Sequence, residues 1–88
     1  MAKGVIRLGD ITSHGGEVIS ASSTITLYGK KVALVGDLIS CPKDGHGVNA
    51  IIEGATSWYH NGKPVAVDGC LCACGCTLLS SLPEVNVG

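Results

Sequence analysis

Phenylalanine is absent from the chain, and one Trp and two Tyr are its whole aromatic complement. The large rings that dominate most cores are therefore missing, and small aliphatic side chains must fill the interior. Long apolar runs are missing too. No stretch approaches the roughly 20 residues of a membrane span, and Met1 to Asp10 lacks the charged start and long apolar stretch of a signal peptide. A charge excess of either sign is also lacking: six basic and seven acidic residues leave a net charge of −1. That excludes the basic field which nucleic acid or an anionic membrane demands. The expectation is a protein made soluble and cytoplasmic, whose export would need something other than the general secretory route.

What is present is small and Gly-rich. The 88 residues suffice for one domain, expected to span 1–88, but a chain this short buries too little surface to be secure without an added staple. Thirteen Gly, with many Val, Ile and Thr, favour short strands and tight turns over helices. The fold class expected is all-β. Five Cys is an odd number in a chain without a secretory signal, which points to metal ligation or free thiols rather than a disulfide framework.

Self-similarity organises the chain. Gly29 to Asp37 reads GKKVALVGD, and Gly62 to Cys70 reads GKPVAVDGC thirty-three positions later. A partial third copy opens the chain, where Ile6 to Asp10 reads IRLGD. Three Gly-Asp-type corners result. Five positions after the corner Gly, each copy carries a metal-ligand residue type: His14 after Gly9, Cys41 after Gly36, Cys74 after Gly69. Between corners, EVISASSTITL from Glu17 and AIIEGATSWYH from Ala50 both read as strand, turn, strand. Thr24 to Leu27 alternates as a half-buried strand should, and Tyr28-Gly29 and Asn61-Gly62 are turn signals. The second full unit is longer by six residues, and the excess lies in Pro42 to Gly47, PKDGHG, which contains His46.

Zinc in a structural site takes four N or S ligands in a tetrahedron. His14, Cys41, His46 and Cys74 make such a set from all three corners, with Cys41-x₄-His46 as a chelating loop. The remote ligands close long loops, so binding free energy adds to folding free energy. Iron suits the same ligand types, but redox-silent zinc suits a rigid element better. His60, outside the corner register, reads as a surface residue. Cys70, Cys72, Cys74 and Cys76 alternate as CLCACGC. A straight strand would put all four on one face, with neighbours too distant for easy disulfides. One ligand and three passive thiols is the favoured reading; a second soft metal ion, or ligand exchange with Cys74, is the alternative.

Taken together, GDITSHGG, GKKVALVGD, CPKDGHG, IIEGATSWYHNGKPVAV and CGCTLLSS resemble the PAAR-repeat domain over essentially the whole chain. The resemblance implies a small pointed cone of short antiparallel strands with pseudo-threefold repeats, zinc-stapled near the vertex. The family's ligand positions correspond to His14, Cys41, His46 and Cys74. It also implies a structural tip whose broad base docks on the VgrG spike trimer of a type VI secretion system. Such a tip is exported by that machine with secreted effectors and pierces the target membrane rather than binding it. No extension follows the repeats, so a bare tip is expected, with any effector carried separately. Two departures stand out: the third corner reads Asp68-Gly69-Cys70 where the family has Gly-Asp, and Cys72 and Cys76 are thiols the motif does not require. Both leave the fourth ligand open.

Three other readings compete. A zinc hydrolase would need an open coordination position and a carboxylate such as Asp10, Asp37 or Glu53, but those residues are better explained as turn formers. A zinc-ribbon-like binding module, or a thiol protein that buffers metal or redox state through CLCACGC, leaves the repeated corners without a role. A phage-type tail spike tip is close kin to the favoured reading.

Overall fold

The computed structural model describes residues 3–42 and 47–81, and the backbone of 86 and 87. Its strands are β1 (Lys3–Gly4), β2 (Glu17–Val18), β3 (Thr26–Leu27), β4 (Lys30–Lys31), β5 (Leu38–Cys41), β6 (Gly47–Ala50), β7 (Tyr59–His60), β8 (Lys63–Pro64) and β9 (Asn86–Val87). No helix occurs among the described residues, as a composition rich in Gly and β-branched side chains predicts. Pairing is antiparallel throughout: β1 with β9, β5 between β2 and β6, and the two hairpins β3–β4 and β7–β8. The fold is therefore all-β and built from very short strands.

The corners read from the sequence are three equivalent turns. Asp10 N–H donates to Arg7 C=O at 3.0 Å, Asp37 to Leu34 at 3.0 Å, and Cys70 to Val67 at 3.1 Å. The third residue of each is a Gly with positive φ, +89° at Gly9, +95° at Gly36 and +84° at Gly69, a conformation that side chains penalise. Each turn is held to the same downstream partner position. Gly9 N–H donates to Val18 C=O, Gly36 to Ile51 and Gly69 to Leu78, and the return bonds run from Val18 to Asp10, Ile51 to Asp37 and Leu78 to Cys70. Asp10 and Asp37 act locally, each taking the N–H at the turn's first residue, Arg7 at 2.8 Å and Leu34 at 2.7 Å. At the third corner the Cys70 sulfur accepts the Val67 N–H instead.

These units close on one another. Ile6 N–H donates to Ala66 C=O at 3.0 Å, Ala66 to Ala33 at 2.9 Å, and Ala33 back to Ile6 at 2.9 Å. Three residues in equivalent positions thus form a ring of backbone hydrogen bonds, which marks a pseudo-threefold axis. The surrounding bridges obey the same rule: Val5 with Val67, Val32 with Arg7, and Val65 with Leu34. The principal extents, 33 × 24 × 24 Å, give one long axis and two equal short ones, as threefold organisation requires.

Aliphatic side chains fill the space around the axis. Val5, Val32 and Val65 are fully buried in one layer and Ile6, Ala33 and Ala66 in the next. The first set belongs to a cluster with Leu34, against which Ile25, Leu27 and Trp58 pack. The second belongs to a larger cluster with Val18, Ile39, Ile51, Leu78 and the cysteines. The predicted turns at Tyr28-Gly29 and Asn61-Gly62 join β3 to β4 and β7 to β8 with Leu27↔Lys30 and His60↔Lys63 as closing pairs. Both central residues have positive φ in each, 50° and 82° in one and 52° and 80° in the other, the mirror-image turn that suits a two-residue hairpin.

Candidate metal centre

His14 and Cys74 are carried by the same five-residue loop, used twice. In residues 12–16, Thr12 N–H donates to Gly16 C=O at 2.9 Å and Gly15 N–H to Thr12 C=O at 3.0 Å. In residues 72–76, Cys72 N–H donates to Cys76 C=O at 2.9 Å and Gly75 N–H to Cys72 C=O at 2.9 Å. Gly15 and Gly75 have φ of +85° and +92°, so each candidate ligand is followed by the left-handed residue that tightens the loop. The second unit differs. Cys41 ends β5 opposite Gly47 on β6, and the insertion replaces the tight loop.

The structure brings three of the four sequence-predicted ligands together. One donor atom from each of His14, Cys41 and Cys74 lies within 4.8 Å of the others, with Cys41 buried and the other two half-buried. Cys41 Sγ stands 3.6 Å from His14 Nδ1. Zinc bonds of about 2.3 Å to sulfur and 2.0 Å to nitrogen, at tetrahedral angles, put those two atoms about 3.5 Å apart. The donor set thus fits a soft or borderline metal ion in both chemistry and spacing. His46, the fourth predicted ligand, lies outside the described residues. His60 is not in the group; its Nε2 meets the Thr24 N–H at 3.3 Å and the Thr24 hydroxyl at 3.2 Å, tying two hairpins together.

The run from Cys70 to Cys76 is not a straight strand. It reverses at Ala73 to Gly75, and this brings Cys74 Sγ to 3.3 Å from Cys76 Sγ. The expectation that neighbouring thiols stand too far apart to pair is thereby corrected, because Gly75 supplies the bend that an extended strand lacks. None of the five cysteines is joined in a disulfide. Their environments diverge. Burial pushes the Cys72 thiol up to about 12, helped by its contact with Cys76, and burial raises Cys70 and Cys76 as well. Burial also pushes Cys74 up, but hydrogen bonds to its sulfur from Cys76, Asn49 and Cys41 prevail and bring it down to about 6. A thiol ionised at neutral pH is the form that binds metal.

Asn49 is a residue that the motif spacing does not single out. Its Oδ1 accepts the Cys74 N–H at 3.2 Å, holding the loop that carries the ligand. The repeat register contained the clue, since Gly16, Asn49 and Cys76 occupy equivalent positions, each two residues before Val18, Ile51 or Leu78.

The PAAR motif family model matches residues 8–80, a span that contains all three corner glycines and the His14, Cys41 and Cys74 group. A sequence search among curated proteins finds no match.

Proposed function

The chain belongs to the PAAR-motif family, and from that premise we propose that it is the structural tip capping the VgrG spike trimer of a type VI secretion system, stapled by one zinc ion held by His14, Cys41, His46 and Cys74. What carries this reading is the symmetry of the candidate ligands. One comes from each of three equivalent units, so an ion between them ties all three chain segments together. When bound, zinc contributes cross-linking free energy that a small aliphatic core lacks. The protein's own part is to preset the donors: Gly15 and Gly75 shape the two loops, Asn49 holds the Cys74 backbone, and the hydrogen bonds around Cys74 favour its thiolate.

A spike tip is a structural protein, and the carboxylates that a hydrolytic reading needs are committed elsewhere. Asp10 and Asp37 accept backbone N–H groups of their own turns, and Glu53 Oε1 accepts the Leu71 N–H at 2.9 Å. Docking on VgrG follows from symmetry matching: three units in one chain face three chains in a trimer. Short antiparallel edges at the base offer backbone groups that another β structure can pair with. On this reading the domain spans 1–88 and is loaded from the cytoplasm onto the spike, together with any effector. Among the described residues, no helix is long and apolar enough to cross a membrane.

Two measurements test the proposal. Inductively coupled plasma mass spectrometry of the purified chain is expected to give about one zinc per chain, lost in Cys41→Ala and His14→Ala and retained in His60→Ala. Mixing with a VgrG trimer from the same bacterium is expected to give one chain per three VgrG subunits by light scattering. A metal-free folded protein overturns the zinc staple; three chains per trimer, or no complex, overturns the capping role.

A further inference from the structure

We infer that Cys74 and Cys76 are a redox pair that closes to a disulfide when no metal occupies the site, with Cys74 as the thiol oxidised first and Cys76 as the resolving one. The clause about metal rests on the proposed ligand role of Cys74; the pair itself rests on geometry alone. The two sulfurs are 3.3 Å apart, and the loop that carries them is fastened by the Gly75 to Cys72 and Cys72 to Cys76 backbone bonds. Residues two apart in sequence cannot separate by more than about 7 Å at Cα, and the left-handed Gly75 bends this segment back toward the 4.4–6.8 Å that a disulfide needs. Bond formation then requires the sulfurs to close by roughly 1.3 Å to about 2.05 Å, a distance that side-chain rotation covers.

The pair is peculiar to the third unit. In the equivalent first loop, His14 and Gly16 occupy the two positions, and a Cβ at Gly16 would lie 1.7 Å from Ser40 C=O. The repeat therefore does not require a side chain there, yet the third unit places a thiol in it. Exposure divides the roles. Cys74 is half-buried and open to a small oxidant, whereas Cys76 has no exposed surface. The other sulfur beside Cys74 is Cys41, which sits on a separate segment and faces His14 Nδ1 at 3.6 Å.

The chemistry balances with a peroxide as oxidant. The Cys74 thiolate attacks one peroxide oxygen, the O–O bond breaks, and the departing hydroxide takes up a proton to leave as water. Cys74 is then a sulfenic acid. The Cys76 sulfur attacks the Cys74 sulfur, its proton is lost, and the S–O bond breaks with release of a second water. Two thiols and one peroxide give one disulfide and two waters. Cys74 cannot serve as a metal thiolate and a disulfide sulfur together. A bound ion therefore guards the pair, and oxidation of the metal-free chain closes the site to metal. For a protein loaded in a reducing compartment and sent out of it, this sets an order: metal first, oxidant second.

The test uses the full chain, reduced, stripped with a chelator and treated with one equivalent of hydrogen peroxide, then unfolded and alkylated with iodoacetamide. The metal-free chain is expected to lose two hydrogens and take up label on Cys41, Cys70 and Cys72 alone, as located by tandem mass spectrometry. A dominant Cys41–Cys74 cross-link, or five labelled cysteines, overturns the pairing. A parallel sample given zinc is expected to oxidise at least tenfold more slowly; equal rates in a chain that holds zinc overturn the guarding role. A chain that takes up no zinc refutes the ligand reading, while the metal-free arm still decides the pair. Cys76→Ser is expected to melt as a folded protein and to stop at the Cys74 sulfenic acid, trapped by dimedone. Disulfide formation at Cys74 in that variant, at the wild-type rate, overturns the resolving role.

Discussion

Replacing Asp37 by Ala removes the carboxylate that organises the second corner, and the structure allows its effect to be worked out. Asp37 is buried, and Oδ2 accepts the Leu34 N–H at 2.7 Å, the Ser22 N–H at 3.0 Å and the Ser22 hydroxyl at 3.2 Å, while Oδ1 accepts the Ser20 hydroxyl at 3.3 Å. Leu34 is 1% exposed, so its N–H loses its side-chain acceptor where water does not replace it, at about 2 kcal/mol. The three bonds from Ser20 and Ser22 lie nearer solvent and contribute about 0.5 kcal/mol each when lost. The expected destabilisation is about 3.5 kcal/mol, a large share of the stability of a small domain. With each kcal/mol moving Tm by about 4–8 °C at this size, the shift is on the order of 15–30 °C. Asp37→Asn retains an acceptor for Leu34 and is expected to lose about 1 kcal/mol. Differential scanning calorimetry and urea unfolding at fixed zinc measure both. A loss below about 0.5 kcal/mol in Asp37→Ala would refute the view that turn carboxylates, rather than core packing alone, hold the corners.

Three further outcomes are expected. Tyr28 is 77% exposed and sits at φ 50°, where the equivalent hairpin has Asn61. Tyr28→Asn relieves backbone strain at little loss of packing and is expected to raise stability by about 0.5–1 kcal/mol in thermal melts; a drop in Tm contradicts the turn assignment. Gly16→Ala drives a Cβ to 1.7 Å from Ser40 C=O and should prevent folding or remove more than about 4 kcal/mol, whereas Gly9→Ala, with open space but φ of +89°, should lose only about 1–2 kcal/mol. Equal losses in the two would show that the close backbone approach is not sustained. In the metal-free reduced chain at pH 7, Cys74, brought down to about 6, is roughly nine-tenths thiolate. It should react with iodoacetamide at least tenfold faster than Cys70, Cys72 or Cys76, and the advantage should fade as pH drops below about 6. Alkylation of Cys72 first would reverse the assigned environments.

Local chemistry explains what the sequence made legible. A corner needs a Gly at one position and an acceptor side chain after it, so Gly9-Asp10 and Gly36-Asp37 announce themselves without knowledge of the rest of the fold. The counting rule from those glycines then reaches His14, Cys41 and Cys74, and the structure gathers these three. Juxtapositions created by bends were harder to see. Treating Cys70 to Cys76 as a strand spread the thiols apart, although Gly75 follows Cys74 just as Gly15 follows His14, and that shared Gly is the sign of a loop. Asn49 was hidden for a different reason. Its partner, the Cys74 N–H, is twenty-five residues away, and only the threefold register connects them. The closed ring through Ile6, Ala33 and Ala66 is likewise a property of assembly. Each residue reads merely as an apolar side chain until the three units meet.

The symmetry also bears on why one unit should carry an insertion. Three equivalent loops arranged about an axis can present three equivalent donors to an ion on that axis, but a tetrahedral ion needs a fourth donor, and no threefold repeat supplies one. One unit must therefore break the pattern. The break falls in the second unit, where the tight loop of residues 12–16 and 72–76 gives way to the longer connection between β5 and β6, directly after Cys41. On the proposed reading that segment supplies His46 as the fourth donor while Cys41 keeps its equivalent place. The reading makes the insertion a requirement of coordination number: shortening Pro42 to Gly47 to the length of the first loop should leave a chain with three equivalent donors and an open position. The shortened chain is expected to hold zinc at least a hundredfold more weakly in a competition titration with a chromophoric chelator, and unchanged affinity would show that the fourth donor comes from elsewhere, with Cys76, whose sulfur lies 3.3 Å from that of Cys74, as the candidate.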